Sequence, residues 1–223
     1  MRTILLNACL LILASAALAG DPKPYTEWSA ADAAKLLKKS PWIEEVVWTR
    51  LVDERSDERI EDAGGCQTLK IRVMLFSSHP IRQALAVSAA KGEPGPLAHW
   101  REFATRDYDD EIVVAWLVDA DPKGCPILQV FQEQLRNLTT AQLSAETFLA
   151  TSSGRRAYLK EFVPPTPDGT GAKFVFSRRL PDGTALVTPA DTAFSFQATR
   201  IPVVSEYELR TRRPGCRMRL PQD

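Results

Sequence analysis

The chain has 223 residues with 28 basic and 28 acidic side chains, so its formal net charge is zero at neutral pH. A balanced charge offers no long-range attraction to nucleic acid or to an anionic lipid surface, and we therefore expect no nucleic-acid partner. A hydrophobic content of 44% is ordinary for a globular protein and argues against wholesale disorder.

The N-terminus of the chain has the three parts of a secretory signal peptide. Arg2 supplies a positive charge, an apolar run follows, and Ala17-Leu18-Ala19 is typical of a cleavage site. A helix that spans a membrane needs about 20 apolar residues, and this run is shorter. We therefore expect residues 1–19 to be removed on export to the periplasm or the medium. We expect residues 20–223 to form a single domain without a transmembrane anchor.

Three cysteines remain after the signal peptide: Cys66, Cys125 and Cys216. In an oxidising compartment, two cysteines within reach of each other form a disulfide. Cys66 precedes one predicted strand and Cys125 follows another, so the two meet if these strands are antiparallel neighbours. We predict a Cys66–Cys125 disulfide with Cys216 left over, although Cys216 could reach either of the others. With only two histidines and no Cys-x-x-Cys spacing, we expect no metal site.

Two segments in the first half carry clear helix signals. Ser29 is a suitable N-cap for the first, with Asp32 at the capping-box spacing. Ser78 precedes the second, in which Pro80 occupies the first turn, where a missing N–H costs nothing. Helical patterns cover residues 29–39, 78–91, 97–104 and 141–150, and residues 127–138 give no clear assignment.

Strand patterns occur along the rest of the chain. Apolar residues alternate over residues 69–75, as in a half-buried strand, and a continuous apolar run over residues 112–118 indicates a central strand. Further strands are expected at residues 43–51, 156–163, 174–176, 194–196, 203–209 and 218–220, with a loop at residues 53–65. The order of elements predicts an α+β fold. In it, helices from the N-terminal half pack on a mixed or antiparallel sheet, and the C-terminal third is β-rich.

Several short motifs occur together along the mature chain: Tyr25-Thr26-Glu27-Trp28-Ser29, Leu36-Leu37, Ser40-Pro41-Trp42, and residues 77–85, 174–178, 188–191 and 194–196. This set resembles a group of uncharacterised exported bacterial proteins of the Acidobacteria type, which carry a Ser-Pro-Trp motif near the mature N-terminus. His79 and Ser177 depart from the residues typical of that group. The resemblance implies a shared fold and export, and it implies no activity.

Two short motifs begin like functional patterns but are incomplete. Asp119-Ala120-Asp121 starts like a calcium loop, yet the positions that need oxygen ligands hold Lys123 and Val130, so we expect a turn. Ser88-Ala89-Ala90-Lys91 has the Ser-x-x-Lys spacing of penicillin-binding enzymes without their companion motifs. We therefore expect no cofactor.

Some residues are nevertheless candidates for hydrolysis or for ligand binding. His79 and His99 are the only imidazoles, and a general base can be distant in sequence from its nucleophile. Residues 107–111 contain four carboxylates, and paired carboxylates can act as acid and base, whereas such clusters also occur as solvated loops. Tryptophans could form a platform for carbohydrate binding. We expect three of them to lie in the core, Trp42, Trp48 and Trp116, and we leave the places of Trp28 and Trp100 open.

Two hypotheses for function follow from the sequence. The first is a non-catalytic binding or structural module of the cell envelope, whose partner is unknown and is a protein or an envelope component. The second is an exported hydrolase with an unrecognised active site, which requires a deep pocket that holds a histidine or two close carboxylates. We favour the module, because the sequence contains no complete catalytic motif.

Overall fold

The structure is a computed structural model that describes residues 23–49, 68–120, 126–167, 169–198 and 216–219. The predicted signal peptide, the loop at residues 53–65, the strand at residues 203–209 and the side chains of all the cysteines lie outside what it describes.

The described residues form six α-helices and eight strands. The helices are α1 (Ala30–Lys39), α2 (His79–Ala89), α3 (Pro94–His99), α4 (Arg101–Thr105), α5 (Pro126–Asn137) and α6 (Thr140–Leu143), and a 3₁₀ turn covers Tyr25–Glu27. The strands are β1 (Ile43–Thr49), β2 (Thr68–Leu75), β3 (Glu111–Ala120), β4 (Thr147–Thr151), β5 (Arg156–Val163), β6 (Ala172–Ser177), β7 (Ala193–Ala198) and β8 (Cys216–Arg219).

All eight strands belong to one sheet in the order β1-β2-β3-β6-β5-β4-β7-β8, and every neighbouring pair is antiparallel. The sheet curls, so that Cα atoms of its two outermost strands, β1 and β8, come within 8 Å of each other. The predicted α+β class is therefore confirmed, and of the two sheet types expected from the sequence the chain adopts the antiparallel one.

The inner, concave face of the curled sheet packs on α5. Side chains alternate across a strand, and the even-numbered residues of β3 from Ile112 to Ala120 lie on this inner face. Helix α5 contributes Phe131 and Leu135, both of which are almost fully buried. Aromatic rings fill the centre of this core: Trp116, Phe162, Phe174, Phe176 and Phe196. These tilted and edge-to-face rings join the central strands β3, β5, β6 and β7.

The outer face of β2, β3 and β6 packs on α2. Met74, Val113 and Val175 form this layer together with Ile81 of α2.

Helix α1 begins with the expected capping box, in which the Asp32 N–H donates to Ser29 Oγ at 3.1 Å and the Ser29 N–H donates to Asp32 Oδ2 at 2.9 Å. The N-terminal cap of α1 was therefore predictable from the sequence.

In the middle of the chain, one helical expectation differs from the structure, and one unassigned segment is a helix. Residues 141–150 were expected to be helical, but α6 ends at Leu143 and β4 begins at Thr147, so this prediction is wrong. Tertiary contacts favour a strand here, because β4 is hydrogen-bonded on both sides by β5 and β7 and its Leu149 is fully buried. Residues 127–138, which the sequence left unassigned, belong mainly to α5.

Strand β6 begins at a close approach between two backbones. Gly171 has a φ of +79°, and a Cβ atom at this position would lie 2.0 Å from the carbonyl oxygen of Trp116 on β3. Only glycine allows both the left-handed backbone and this contact. The start of β6 is therefore fixed at the residue that pairs with Trp116, Ala172.

Strands β2 and β3 are antiparallel neighbours, and Leu69 near the start of β2 lies opposite Ala120 at the end of β3. This is the arrangement on which the proposed Cys66–Cys125 disulfide depends, although both cysteines lie outside the described residues. We predict that peptide mapping of the non-reduced protein recovers a linked peptide with Cys66 and Cys125. A peptide that links Cys216 to either of them, or three free thiols, would contradict the pairing.

We predict that Gly171→Ala destabilises the protein by at least about 3 kcal/mol, because it combines left-handed backbone strain with overlap of the Trp116 carbonyl. Urea unfolding of the two proteins measures the difference. Gly183→Ala is the matched control, since Gly183 has a φ of +83° and open space around its Cα, and it should cost only about 1–2 kcal/mol. Equal losses at the two positions would show that the contact with Trp116 does not matter.

Candidate functional site

A cleft of about 450 Å³ lies where β3 extends beyond β6. One wall is formed by strands of the sheet, a second by α5, and a third by the connection between β5 and β6. The sheet contributes Glu45, Lys70, Arg72, Trp116, Val118 and Asp119. Helix α5 contributes Gln132, Leu135 and Arg136, and the connection contributes Pro165, Thr166, Pro167, Gly169 and Gly171.

The cleft exists because the two neighbours of β3 differ in extent. Strand β2 pairs with β3 as far as Ala120, whereas β6 pairs with it only as far as Trp116. The ladder with β6 ends at Ala172, because the preceding Gly171 has a φ of +79° and departs from strand geometry. From Leu117 to Ala120, the β6-side edge of β3 therefore lies beyond the ladder with β6.

The orientation of the β3 backbone shows which groups face this edge. The Trp116 carbonyl points toward Gly171 on the β6 side, whereas the Val113 carbonyl accepts a hydrogen bond from the Ser77 N–H on the β2 side at 3.2 Å. Because backbone direction alternates along a strand, the N–H and C=O of Val118 face the β6 side, like those of Trp116.

The lining of the cleft carries three cationic and two anionic side chains. Glu45 lies opposite Arg72 in the strand register, and their nearest charged atoms, Oε2 and Nη2, are 3.9 Å apart. Asp119 lies opposite Lys70, and its Oδ1 accepts a hydrogen bond from the next backbone N–H at 2.9 Å. Arg136 contacts only the exposed Glu133 among the described carboxylates, at 3.4 Å, a surface pair of small energetic value. The cleft therefore has an excess of positive charge, with Arg136 the most available.

The histidines lie elsewhere. His79 opens α2 next to the opposite end of β2, and its Nε2 is 3.1 Å from Asp107 Oδ1. Both side chains are exposed, by 49% and 67%, which means that water surrounds the pair. His99 is exposed and meets Trp100 edge to face. Neither histidine lines the cleft.

The two ends of the acidic segment 107–111 contact different partners. Asp107 contacts His79, whereas the Glu111 carboxylate accepts a hydrogen bond from Lys160 Nζ at 2.7 Å and points to β5. The hydrogen bond from Lys160 to Glu111 raises the pKa of the Lys160 ammonium from its usual value. The two ends of this cluster thus serve two different surface contacts.

A fully buried arginine, which no pattern in the sequence indicates, lies beneath this surface. Arg82 of α2 donates to the backbone carbonyls of Phe76, Ser77, Phe103 and Arg106, and its guanidinium lies 4.8 Å from the centre of the Tyr108 ring. Burial lowers the pKa of Arg82 from its usual value, against the opposing effect of Tyr108. The donors of Arg82 join the end of β2 to the end of α4.

The remaining sequence candidates lie at separate places. Ser88 and Lys91 are exposed, and Lys91 lies after the end of α2 with a φ of +53°, so the two do not share a helical turn. Asp119 lines the cleft, and the rest of the calcium-like motif to residue 125 lies outside the described residues. Trp42 and Trp116 pack against the core as expected, and Trp28 and Trp100 pack between the helices. The side chain of Trp48 is not described.

Asp191 is the centre of a second polar cluster that the sequence did not reveal. Its buried carboxylate accepts hydrogen bonds from the backbone N–H groups of Ser153 at 3.1 Å and Thr188 at 2.8 Å, and from the guanidinium of Arg155. Burial alone would raise the pKa of Asp191, but the hydrogen bonds from Ser153 and Thr188 outweigh it and hold the pKa well below its usual range. The cluster joins the β4–β5 hairpin to the segment before β7, away from the cleft.

Among the described residues there is no group of three or more metal-ligating side chains, and no helix is long and apolar enough to cross a membrane. Comparison of the chain with protein-family models, with curated proteins and with solved structures finds no match in any of the three.

We predict that Asp191→Asn costs about 3 kcal/mol of unfolding free energy at pH 7, because it leaves the partly buried Arg155 without its carboxylate. Since the pKa of Asp191 is lower in the folded state, its contribution is complete above the unfolded pKa of about 3.9 and declines as the pH falls below it. Urea unfolding at pH 7 and pH 3 should therefore show a smaller difference at pH 3. Asp182→Asn, at an exposed turn, is the control and should have a smaller effect at pH 7.

Proposed function

We propose that this protein is an exported, non-catalytic binding module of the cell envelope, and that the cleft at the end of β3 is its ligand site. The observation that carries the proposal is the cleft itself, which lies beyond the β3–β6 ladder and has an excess of cationic side chains. Its partner is a component of the envelope or an exported protein.

The size and the walls of the cleft support a binding role. Its volume falls within the range of about 300–1,000 Å³ that is usual for ligand sites. Helix α5 is anchored by Phe131 and Leu135 in the aromatic core, so that one wall is rigid. A preformed wall lowers the entropy cost of binding.

The proposal of export rests on the N-terminal sequence, where a positive residue, an apolar run and Ala17-Leu18-Ala19 are followed by Gly20. It agrees with the proposed relationship to the Acidobacteria-type exported group. We also propose that helices of the N-terminal half cover one face of the sheet, and that the last third of the chain is mainly β-strand. The layer of α2 against Met74 and Val113, and the run from β4 to β8, support this.

The contact between His79 and Asp107 favours one alternative, an exported hydrolase that uses this pair as a base and its orienting carboxylate. A hydrolase of this kind would cleave p-nitrophenyl acetate and lose that activity on His79→Gln. If the protein is a binding module, the unchanged protein and His79→Gln should hydrolyse the ester at the same slow rate, equal to the rate in buffer that contains denatured protein.

We predict that a photo-crosslinker placed in the cleft captures a ligand from envelope extract. Benzoylphenylalanine replaces Gln132, which lines the cleft, in the full chain, and mass spectrometry identifies the adducts after irradiation. The matched control carries the crosslinker at Val130, which is on the same helix but 49% exposed and outside the cleft lining.

The expected result is a discrete adduct at position 132 that is absent at position 130 and is reduced by a second change, Arg136→Glu. Reversal of one charge that lines the cleft should weaken an anionic ligand and leave a neutral one unaffected. The same adducts at both positions, or none at either, would refute the proposal that the cleft is the ligand site.

A further inference from the structure

We propose that the cleft binds a small amphiphile with a single negative charge, whose carboxylate head meets Arg136 and whose apolar body covers the apolar part of the lining. The inference rests on the proposed function and adds the chemical class of the ligand. It follows from the balance of charge in the lining and from the apolar side chains that accompany the cations.

The charges of the lining favour one negative charge on the ligand. Lys70, Arg72 and Arg136 are accompanied by two carboxylates, those of Glu45 and Asp119, so the described lining has one positive charge in excess. One anionic head neutralises this excess. A second anionic group would meet a balanced lining and two carboxylates, and like charges repel strongly where water is partly excluded. The balance therefore disfavours dianions and polyanions.

Arg136 is the cation best suited to hold the head. It lies on α5 four residues after Gln132, so the two side chains share one face of the helix, and both line the cleft. A guanidinium has five N–H donors, and the described ion pair of Arg136 with Glu133, at 3.4 Å, engages only its Nη1. Donors remain for a carboxylate, which a guanidinium can bind through two parallel hydrogen bonds.

Apolar side chains make up much of the remaining lining. Strand β3 contributes Trp116, Leu117 and Val118, and the connection before β6 contributes Pro165 and Pro167. The three β3 side chains are only partly buried, so each keeps surface that a ligand can cover. Covering apolar surface removes it from water and stabilises a complex in proportion to the area covered. An inorganic anion would leave this surface wet, whereas an amphiphile covers it.

The size of the cleft and the charge of the chain favour a free small molecule over a lipid within a bilayer. The volume of about 450 Å³ lies in the lower half of the range of about 300–1,000 Å³ for small-molecule sites. The chain has a net charge of zero, which gives no long-range attraction to an anionic membrane surface. We therefore infer a dissolved amphiphile of the kind represented by a medium-chain fatty acid.

The test titrates the full mature protein, labelled with ¹⁵N, with four ligands at pH 7. Octanoate has both the charged head and the apolar body, octanol lacks the charge, hexanoate has a shorter body, and octanedioate carries a second carboxylate at the far end. Each titration gives a dissociation constant and the chemical-shift changes of three backbone amides. Gln132 and Val118 line the cleft, whereas Val130 lies on α5 outside the lining.

We expect octanoate to shift the amides of Gln132 and Val118 more than that of Val130. It should bind about tenfold more tightly than octanol or octanedioate, and about fourfold more tightly for each methylene that hexanoate lacks. In Arg136→Gln the difference between octanoate and octanol should disappear. The matched control, Arg101→Gln, removes an exposed arginine of α4 outside the lining and should preserve the difference.

Five results would overturn the inference. Octanol that binds as tightly as octanoate, or a preference for octanoate that survives in Arg136→Gln, would show that Arg136 does not hold the head. Hexanoate as tight as octanoate would show that the apolar side chains are not used. Octanedioate as tight as octanoate would show a site for dianions. Cosedimentation with phosphatidylglycerol vesicles that Arg136→Gln abolishes would show a lipid headgroup within a bilayer.

The outcome can be separated from that of the proposed function. If the crosslinker at position 132 still captures a ligand after any of these results, the cleft remains a binding site and only the class of ligand fails. If octanoate does not bind and the crosslinker captures nothing, both proposals fail.

Discussion

The unequal pairing of β3 is the constraint on which the rest of the candidate site depends. Strand β2 accompanies β3 to its end, and β6 cannot, because the chain enters β6 through Gly171 against the carbonyl of Trp116. A side chain at that glycine would push the two strands apart. One close backbone contact therefore sets the start of β6 and the position of the cleft.

The local features of the fold were accessible from the sequence. The capping box of α1, the alternation in β2 and the apolar run of β3 each depend on neighbours along the chain, and the structure shows all three. Helix α5 was overlooked although its core-facing apolar residues recur at helical spacing, in Leu128, Phe131 and Leu135. Segment 147–151 was misjudged because its strand form depends on two partners that are distant in sequence.

The candidate site was not accessible from the sequence for a related reason. Its walls come from β1, β2, β3, α5 and the connection before β6, and only the sheet register brings these segments together. No motif links Arg72, Arg136 and Val118. The net charge of zero also conceals the site, because opposite charges elsewhere on the surface balance the local excess of cations. The buried Arg82 and Asp191 were equally hidden, since their partners are mostly backbone groups of remote segments.

The strand order has a consequence for how the chain reaches this structure. Strands β1 to β3 form one meander and strands β4 to β6 form another, and the two join only where β3 pairs with β6. Between them the chain passes through α5 and α6, so this seam closes a long loop at a considerable entropy cost. Contacts between residues distant in sequence slow folding, and we expect the seam to be the last part of the sheet to form. Helix α5, which packs on the inner face, would then act as the template on which the two meanders meet.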